Sequence, residues 1–281
     1  MSEIQRIDLG TPALLQFCGP DAVRFLNGQI TQDVRRVIGS KISLPSCVSD
    51  AKGKLQFRVT VTEVANAGLW IAGLVEWAAA LEARLTRYLI ADEVEVLDLS
   101  GHYHLWHFTG AMPEPPPGVI ARESNRFGLA GTDWWLAVDQ VIEFPEEIRL
   151  LAGDELEALR IGNRVPAWGR DLVEGLLPPE ARLEETDISY HKGCYIGQEV
   201  ISRIKSAGKV NQLLQRLIFA AEVPLCCGPI QNAAGVAVGK VTSVSPLITA
   251  DGRYALGYVK RVATDLWINA ADGQIYPGKI G

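Results

Sequence analysis

The sequence predicts an α+β fold whose C-terminal part is all-β, and three observations carry that prediction. Residues 55–62 alternate strictly, with Leu55, Phe57, Val59 and Val61 set against Gln56, Arg58, Thr60 and Thr62; this is the period-two pattern of a half-buried strand. From Glu76 the period becomes helical, with Trp77, Leu81, Leu85 and Leu89 on one face. From Val210 onward, LIFA, GVAVGKVTSV and ALGYVKRV are β runs separated by Gly, Pro and Asp-Gly turns, the signature of a small barrel or sandwich.

The remaining elements follow in chain order. GPDAVRFLNGQITQDV reads as a short helix entered through Gly19-Pro20-Asp21, with Val23, Leu26 and Ile30 on its apolar face. Asn27, Gln29, Thr31 and Asp33 cluster at its end, where polar side chains cap helices or bind ligands. Asp50-Ala51-Lys52-Gly53 is a turn before the alternating strand, and Asn66-Ala67-Gly68 turns the chain into a second strand, LWIAGL. EVEVLDL and HYHLWHF are further strands, and a proline-rich loop at 113–118 leads to DWWLAV. In HYHLWHF, His102 and His104 point one way and His107 the other, so they do not form a metal site. Gly153-Asp154 caps a helix through LEALRIG, and a long irregular segment, 165–191, follows; such segments are functional or disordered.

Composition bounds the function. Nearly half the residues are apolar and about a fifth charged, as in a soluble globular protein with a sizeable core. There is no long apolar run for a membrane span and no signal or transit pattern at the N-terminus, so the expected location is the cytoplasm. The net charge is −6, which argues against direct nucleic-acid binding. Five scattered cysteines without a CxxC suggest neither a disulfide framework nor zinc, and Cys226 and Cys227 read as buried apolar residues near a Gly228-Pro229 turn.

The most informative stretch is KGCYIGQEVISRI, residues 192–204. Val200, Ile201 and Ile204 suit one face of a helix beginning near Gly197, with Glu199 in its first turn. Cys194 therefore lies just upstream of a positive helix end and two residues from Lys192, a setting that favours thiolate. A buried structural cysteine is the alternative. Gly193 and Gly197 are expected to supply backbone freedom to the turn.

The segment 192–199 matches the K-G-C-Y-x-G-Q-E signature of the YgfZ-type folate-binding proteins. These are relatives of the glycine-cleavage T-protein, an aminomethyltransferase, and are linked to iron–sulfur enzyme maturation and tRNA modification. FLNGQITQDV, SDAKGKL, LRIGNRVPAWGRD and GVAVGKVTS also resemble segments of that family. The resemblance implies a T-protein-like three-domain cloverleaf. Its parts are a discontinuous α+β domain (1–50 with 146–208), a second α+β domain (51–145) and a C-terminal β-barrel (209–281). They would surround a channel for a reduced folate.

Departures from the family separate its branches. The T-protein's acidic pair is replaced by Phe57 and Arg58, which cannot accept a proton or stabilise an iminium ion. Gly162 stands where T-proteins have a glutamate, and Arg164 where the family has glycine. With tetrahydrofolate or a derivative as the implied cofactor, Asn27, Gln29 and Asp33 would meet the polar edge of the pterin and Tyr195 its face. Arg160, Lys192 or Arg203 would meet the anionic tail, with Cys194 as the reactive position. One cysteine cannot hold an iron–sulfur cluster alone, so iron–sulfur client enzymes or assembly proteins are the implied partners. A tetrahydrofolate-dependent one-carbon transferase and a scaffold without a small ligand remain as alternatives, and whether the chain is itself an enzyme stays open.

Overall fold

The computed structural model describes residues 4–110, 114–208, 210–261, 263 and 265–281. Pro113 of the proline-rich loop, Val262 at the end of ALGYVKRV and the first three residues of the chain lie outside them. The chain forms two compact units, Met1–Leu151 with Glu184–Glu199 and Ala152–Leu183 with Val200–Gly281. These bounds differ from those of the three-part division expected from sequence.

The first unit contains the strands β1 (Gln5–Asp8), β2 (Ala13–Cys18), β3 (Ser43–Ser49), β4 (Leu55–Val64), β5 (Gly68–Gly73), β6 (Glu95–Asp98), β7 (Tyr103–Thr109), β8 (Ile120–Arg126), β9 (Leu129–Ala137) and β10 (Arg149–Leu150). Two helices join them, α1 (Ala22–Gln29) and α2 (Ala78–Thr86). The strands make two five-stranded sheets, ordered β10-β1-β7-β9-β8 and β3-β4-β5-β2-β6. Leu14, Trp70 and Ala72 of one sheet share a core with Leu105 and Trp135 of the other, where the two indoles meet edge to face with centroids 5.6 Å apart. The alternation predicted over 55–62 is present, but its polar face is also covered at this end. Thr62 is buried and donates to the Ile42 carbonyl.

The helical face predicted from Glu76 holds at Trp77, Leu81 and Leu85, which are buried; α2 stops at Thr86, so Leu89 lies beyond it. On α1 the buried face is Ala22, Phe25, Leu26 and Gln29 rather than one including Val23, with the Phe25 ring stacked 6.4 Å from that of Phe17. His107 and His104 do part company. His104 bonds Asp8, while the fully buried His107 places Nδ1 2.9 Å from Asp133 Oδ1. Burial opposes the Asp133 charge, yet Arg126 and His107 hold its carboxyl down at about 2.

The second unit begins with α3 (Gly153–Gly162) and takes over the chain along α4 (Gln198–Ala207). Its strands are β11 (Gln212–Phe219), β12 (Gly228–Gln231), β13 (Ala237–Thr249), β14 (Gly252–Lys260), β15 (Leu266–Asn269) and β16 (Ile275–Ile280). They close a barrel in the order β11-β14-β13-β12-β15-β16, so the sequence's barrel-or-sandwich choice resolves to a barrel. Leu217, Phe219, Ile230, Val241, Ala255 and Ile268 fill it. Arg164 adopts φ +61°, the left-handed conformation that glycine takes without strain. Cys227 is exposed and Cys226 half-buried, which corrects the expectation that both are buried. The short turn before β12 leaves them outside the barrel core.

Candidate functional site

Residues 184–199 cross the first unit as a strap, and its geometry starts at the end of α1. There Asn27 Oδ1 accepts from the Val34 amide at 3.0 Å. Asp33 caps the turn Val34–Arg36 by accepting from the Arg35 amide. The capped turn exposes the carbonyls of residues 30–32 to the strap. Thr31 Oγ1 donates to the Asp187 carbonyl at 2.7 Å, and the Ser189 amide donates to the Thr31 carbonyl at 3.0 Å. The Lys192 ammonium donates to the Ile30 and Gln32 carbonyls at 2.8 and 2.6 Å.

The other end of the motif is fixed as firmly. The Ile196 amide donates to the Gly28 carbonyl, and Ser49 Oγ donates to the Ile196 carbonyl at 2.7 Å. Gly197, at φ +87°, lies against the Asp50–Gly53 turn; a Cβ there would stand 2.5 Å from the Asp50 oxygen. Gly197 is thus required by both conformation and space. Gly193 has neither a positive φ nor a close neighbour, so only one of the two glycines has the expected role.

Between these anchors the motif presents one side chain to solvent and turns two inward. Lys192 and Tyr195 are buried, and Cys194 is exposed. The Lys192 ammonium, expected beside the thiol, instead faces two carbonyls and lies 5.2 Å from the Tyr195 ring centre. The Tyr195 hydroxyl is buried without a hydrogen-bond partner among the described residues, and burial pushes its pKa up. Burial likewise pulls the Lys192 ammonium down to about 7 against the opposing Asp33 charge, with Arg35 adding to the fall. Because the folded protein holds this proton less tightly than the unfolded chain, wild-type stability should rise with pH from about 7 towards 10.5. Lys192→Met should remove that slope, which urea unfolding at a series of pH values would measure.

The other predicted residues are separated. Gln29 accepts from Arg84, which also reaches Gln56 and the Ser49 carbonyl. Asp33 binds Arg35 through both oxygens, and that arginine's hydrogen bonds are the main reason its carboxyl lies below the usual range. Arg160 lies in the second unit, where Glu157, Asp171, Ser243 and the Val165 carbonyl take all five of its N–H groups. That leaves no donor for an anionic tail, correcting the expectation for this residue. Arg203 is exposed on α4.

The sequence reading did not anticipate the role of Arg58. It binds Asp187 through Nε at 2.7 Å and Nη2 at 3.1 Å, and Thr186 Oγ1 donates to the same carboxylate at 2.6 Å. Phe57 packs edge-on against Trp77. The base-for-acid change at position 58 is therefore matched by a buried acid 129 residues away, a pairing that no local spacing reveals.

No protein-family model matches the chain. A putative chloroplast transferase of Arabidopsis thaliana is 34% identical over 122 residues, covering 43% of this chain and 28% of that protein. The mitochondrial iron-sulfur cluster assembly factor IBA57 homolog of Mycosarcoma maydis is 24% identical over 228 residues, covering 73% of this chain and 55% of the relative. The tRNA-modifying protein YgfZ of Aliivibrio fischeri is 26% identical over 246 residues, 81% of this chain and 76% of its own. The chain thus spans less than two thirds of the first two relatives. Among solved structures, the glycine cleavage system aminomethyltransferase T of Bartonella henselae matches 99% of this chain and 85% of its own with a TM-score of 0.81 at 18% identity. The fold is the one that enzyme has.

Proposed function

Taking as its premise a chain homologous to the YgfZ and IBA57 proteins with the fold of aminomethyltransferase T, we propose that this protein is a folate-binding accessory factor. It supports the assembly or repair of iron–sulfur enzymes and, through them, tRNA modification. The observation that carries the reading is the strap, in which Cys194 projects outward from a turn anchored on both sides. The relatives named for cluster assembly and tRNA modification supply the context.

A reduced folate suits the residues available. Tyr195 offers an aromatic wall and a hydroxyl with no partner among the described residues. The folate would supply a one-carbon or redox function, while this chain orients it and presents a thiol that ligates soft metals or exchanges with persulfides. Phe57 packed against Trp77, and Arg58 paired with Asp187, leave no proton acceptor at the T-protein positions, which weighs against aminomethyl transfer. The net charge of −6 favours an indirect effect on tRNA.

Anaerobic calorimetric titration with tetrahydrofolate should give equal affinities for the wild type and Cys194→Ala. No heat from either protein would remove the folate part of the reading. In cells lacking the protein, Cys194→Ala should fail to restore iron–sulfur enzyme activity under oxidative stress, and full restoration would exclude a role for the thiol.

A further inference from the structure

We infer that Arg58 binds an oxygen acceptor of the ligand, a carboxylate or a formyl oxygen, using the edge of its guanidinium that Asp187 leaves free. This rests on the folate reading above and names the group within that site that selects the ligand.

The argument is a count of donors. A guanidinium has five N–H groups, and Asp187 takes one from Nε and one from Nη2. Nη1 and the second Nη2 proton have no partner among the described residues. The Asp187 carboxylate is wholly buried while the Arg58 side chain keeps 26% of its surface, so the arginine is held from behind and open in front. Arg160 is the contrast, with every donor used and its side chain 6% exposed. Of the other cations near the strap, Lys192 faces two carbonyls and Arg84 serves three acceptors. Arg35 grips Asp33 with the same two nitrogens, but on a side chain 59% exposed and so not held in place as Arg58 is.

Fixing a guanidinium before the ligand arrives removes the ordering cost from binding, and a planar fork favours oxygen acceptors in its plane. Lysine could still neutralise Asp187 but would present no second edge. The unpartnered Tyr195 hydroxyl is a second polar group left over in the same unit. A reduced folate brings two kinds of oxygen acceptor suited to this edge, its glutamate carboxylates and, when formylated, the formyl oxygen.

The test titrates wild type, Arg58→Lys and the charge-free double variant Arg58→Gln/Asp187→Asn with 6-methyltetrahydropterin, which has no carboxylate, tetrahydrofolate and 5-formyltetrahydrofolate. The double variant guards against misfolding from a lone buried carboxylate. Both variants should bind the acceptor-bearing ligand roughly ten- to a hundred-fold more weakly, the usual range for a charged hydrogen bond. A loss confined to the formyl compound assigns the formyl oxygen. A loss shared by both glutamate-bearing folates and absent for 6-methyltetrahydropterin assigns the carboxylate. In parallel, phenylglyoxal labelling followed by peptide mass spectrometry should show Arg58 modified in the free wild type and protected by bound folate. Unchanged affinities in both variants, or folate that binds without protecting Arg58, would overturn the inference while leaving folate binding intact. Absence of binding by wild type to all three ligands would overturn the folate reading itself and this inference with it.

Discussion

Arg160→Met should lower the unfolding free energy by about 3–5 kcal/mol, the cost of removing one partner from a buried ion pair. Asp171 is 1% exposed and accepts from Arg160, Ser243, Thr242 and the Ala167 amide, and its own carbonyl accepts from the Tyr258 hydroxyl. Methionine fills similar volume but leaves that carboxylate without a countercharge. Ser243 of β13 would lose the arginine that its oxygen accepts from. Guanidinium chloride unfolding, read by the tryptophan signal, measures the loss. A change below about 1 kcal/mol, the range of an exposed pair, would mean the network is solvated in solution.

Gly197→Ala should be nearly as damaging, lowering stability by about 2–4 kcal/mol through left-handed strain and a collision with backbone. The new Cβ would stand 2.5 Å from the Asp50 oxygen and 2.9 Å from Gly53 Cα, atoms that no rotamer change can move. Gly193→Ala, with open space around it, should change stability by less than about 0.5 kcal/mol. The pair of variants, compared by urea unfolding, separates a requirement for glycine from mere membership of the motif. Equal effects would show that the strap rearranges freely.

What the sequence revealed and what it hid follow one physical division. β4, α2 and α4 were legible because each repeats its apolar residues at its own period, and β5 with the barrel strands β11, β13 and β14 because apolar runs stand between turns; β12, β15 and β16 went unread. β2, read as ALLQFC, is apolar almost throughout and gives no alternation; β8, IARESNR, is a polar edge strand that lacks one. The KGCYIGQE motif located the strap, but not what holds it. Asn27 and Asp33 were picked out as ligand contacts by their polarity, and the structure uses them on the Val34 and Arg35 amides. Lys192 was placed beside Cys194 by proximity along the chain, yet the structure turns its ammonium inward onto the Ile30 and Gln32 carbonyls and leaves Cys194 exposed. Arg58 looked like a loss of function because its partner is remote in sequence.

The discontinuity of the first unit also orders its birth on the ribosome. Both sheets are encoded before residue 152, whereas Glu184–Glu199 emerges only after α3 and the long connection have been made. At ordinary translation speeds that interval lasts on the order of several seconds, far longer than a hairpin needs to form. For that time Arg58 stands on a nascent sheet without its carboxylate, and the carbonyls at the end of α1 await their lysine. The last short piece of chain to arrive therefore closes the unit and brings the thiol with it, so a truncated product released before residue 184 would carry neither.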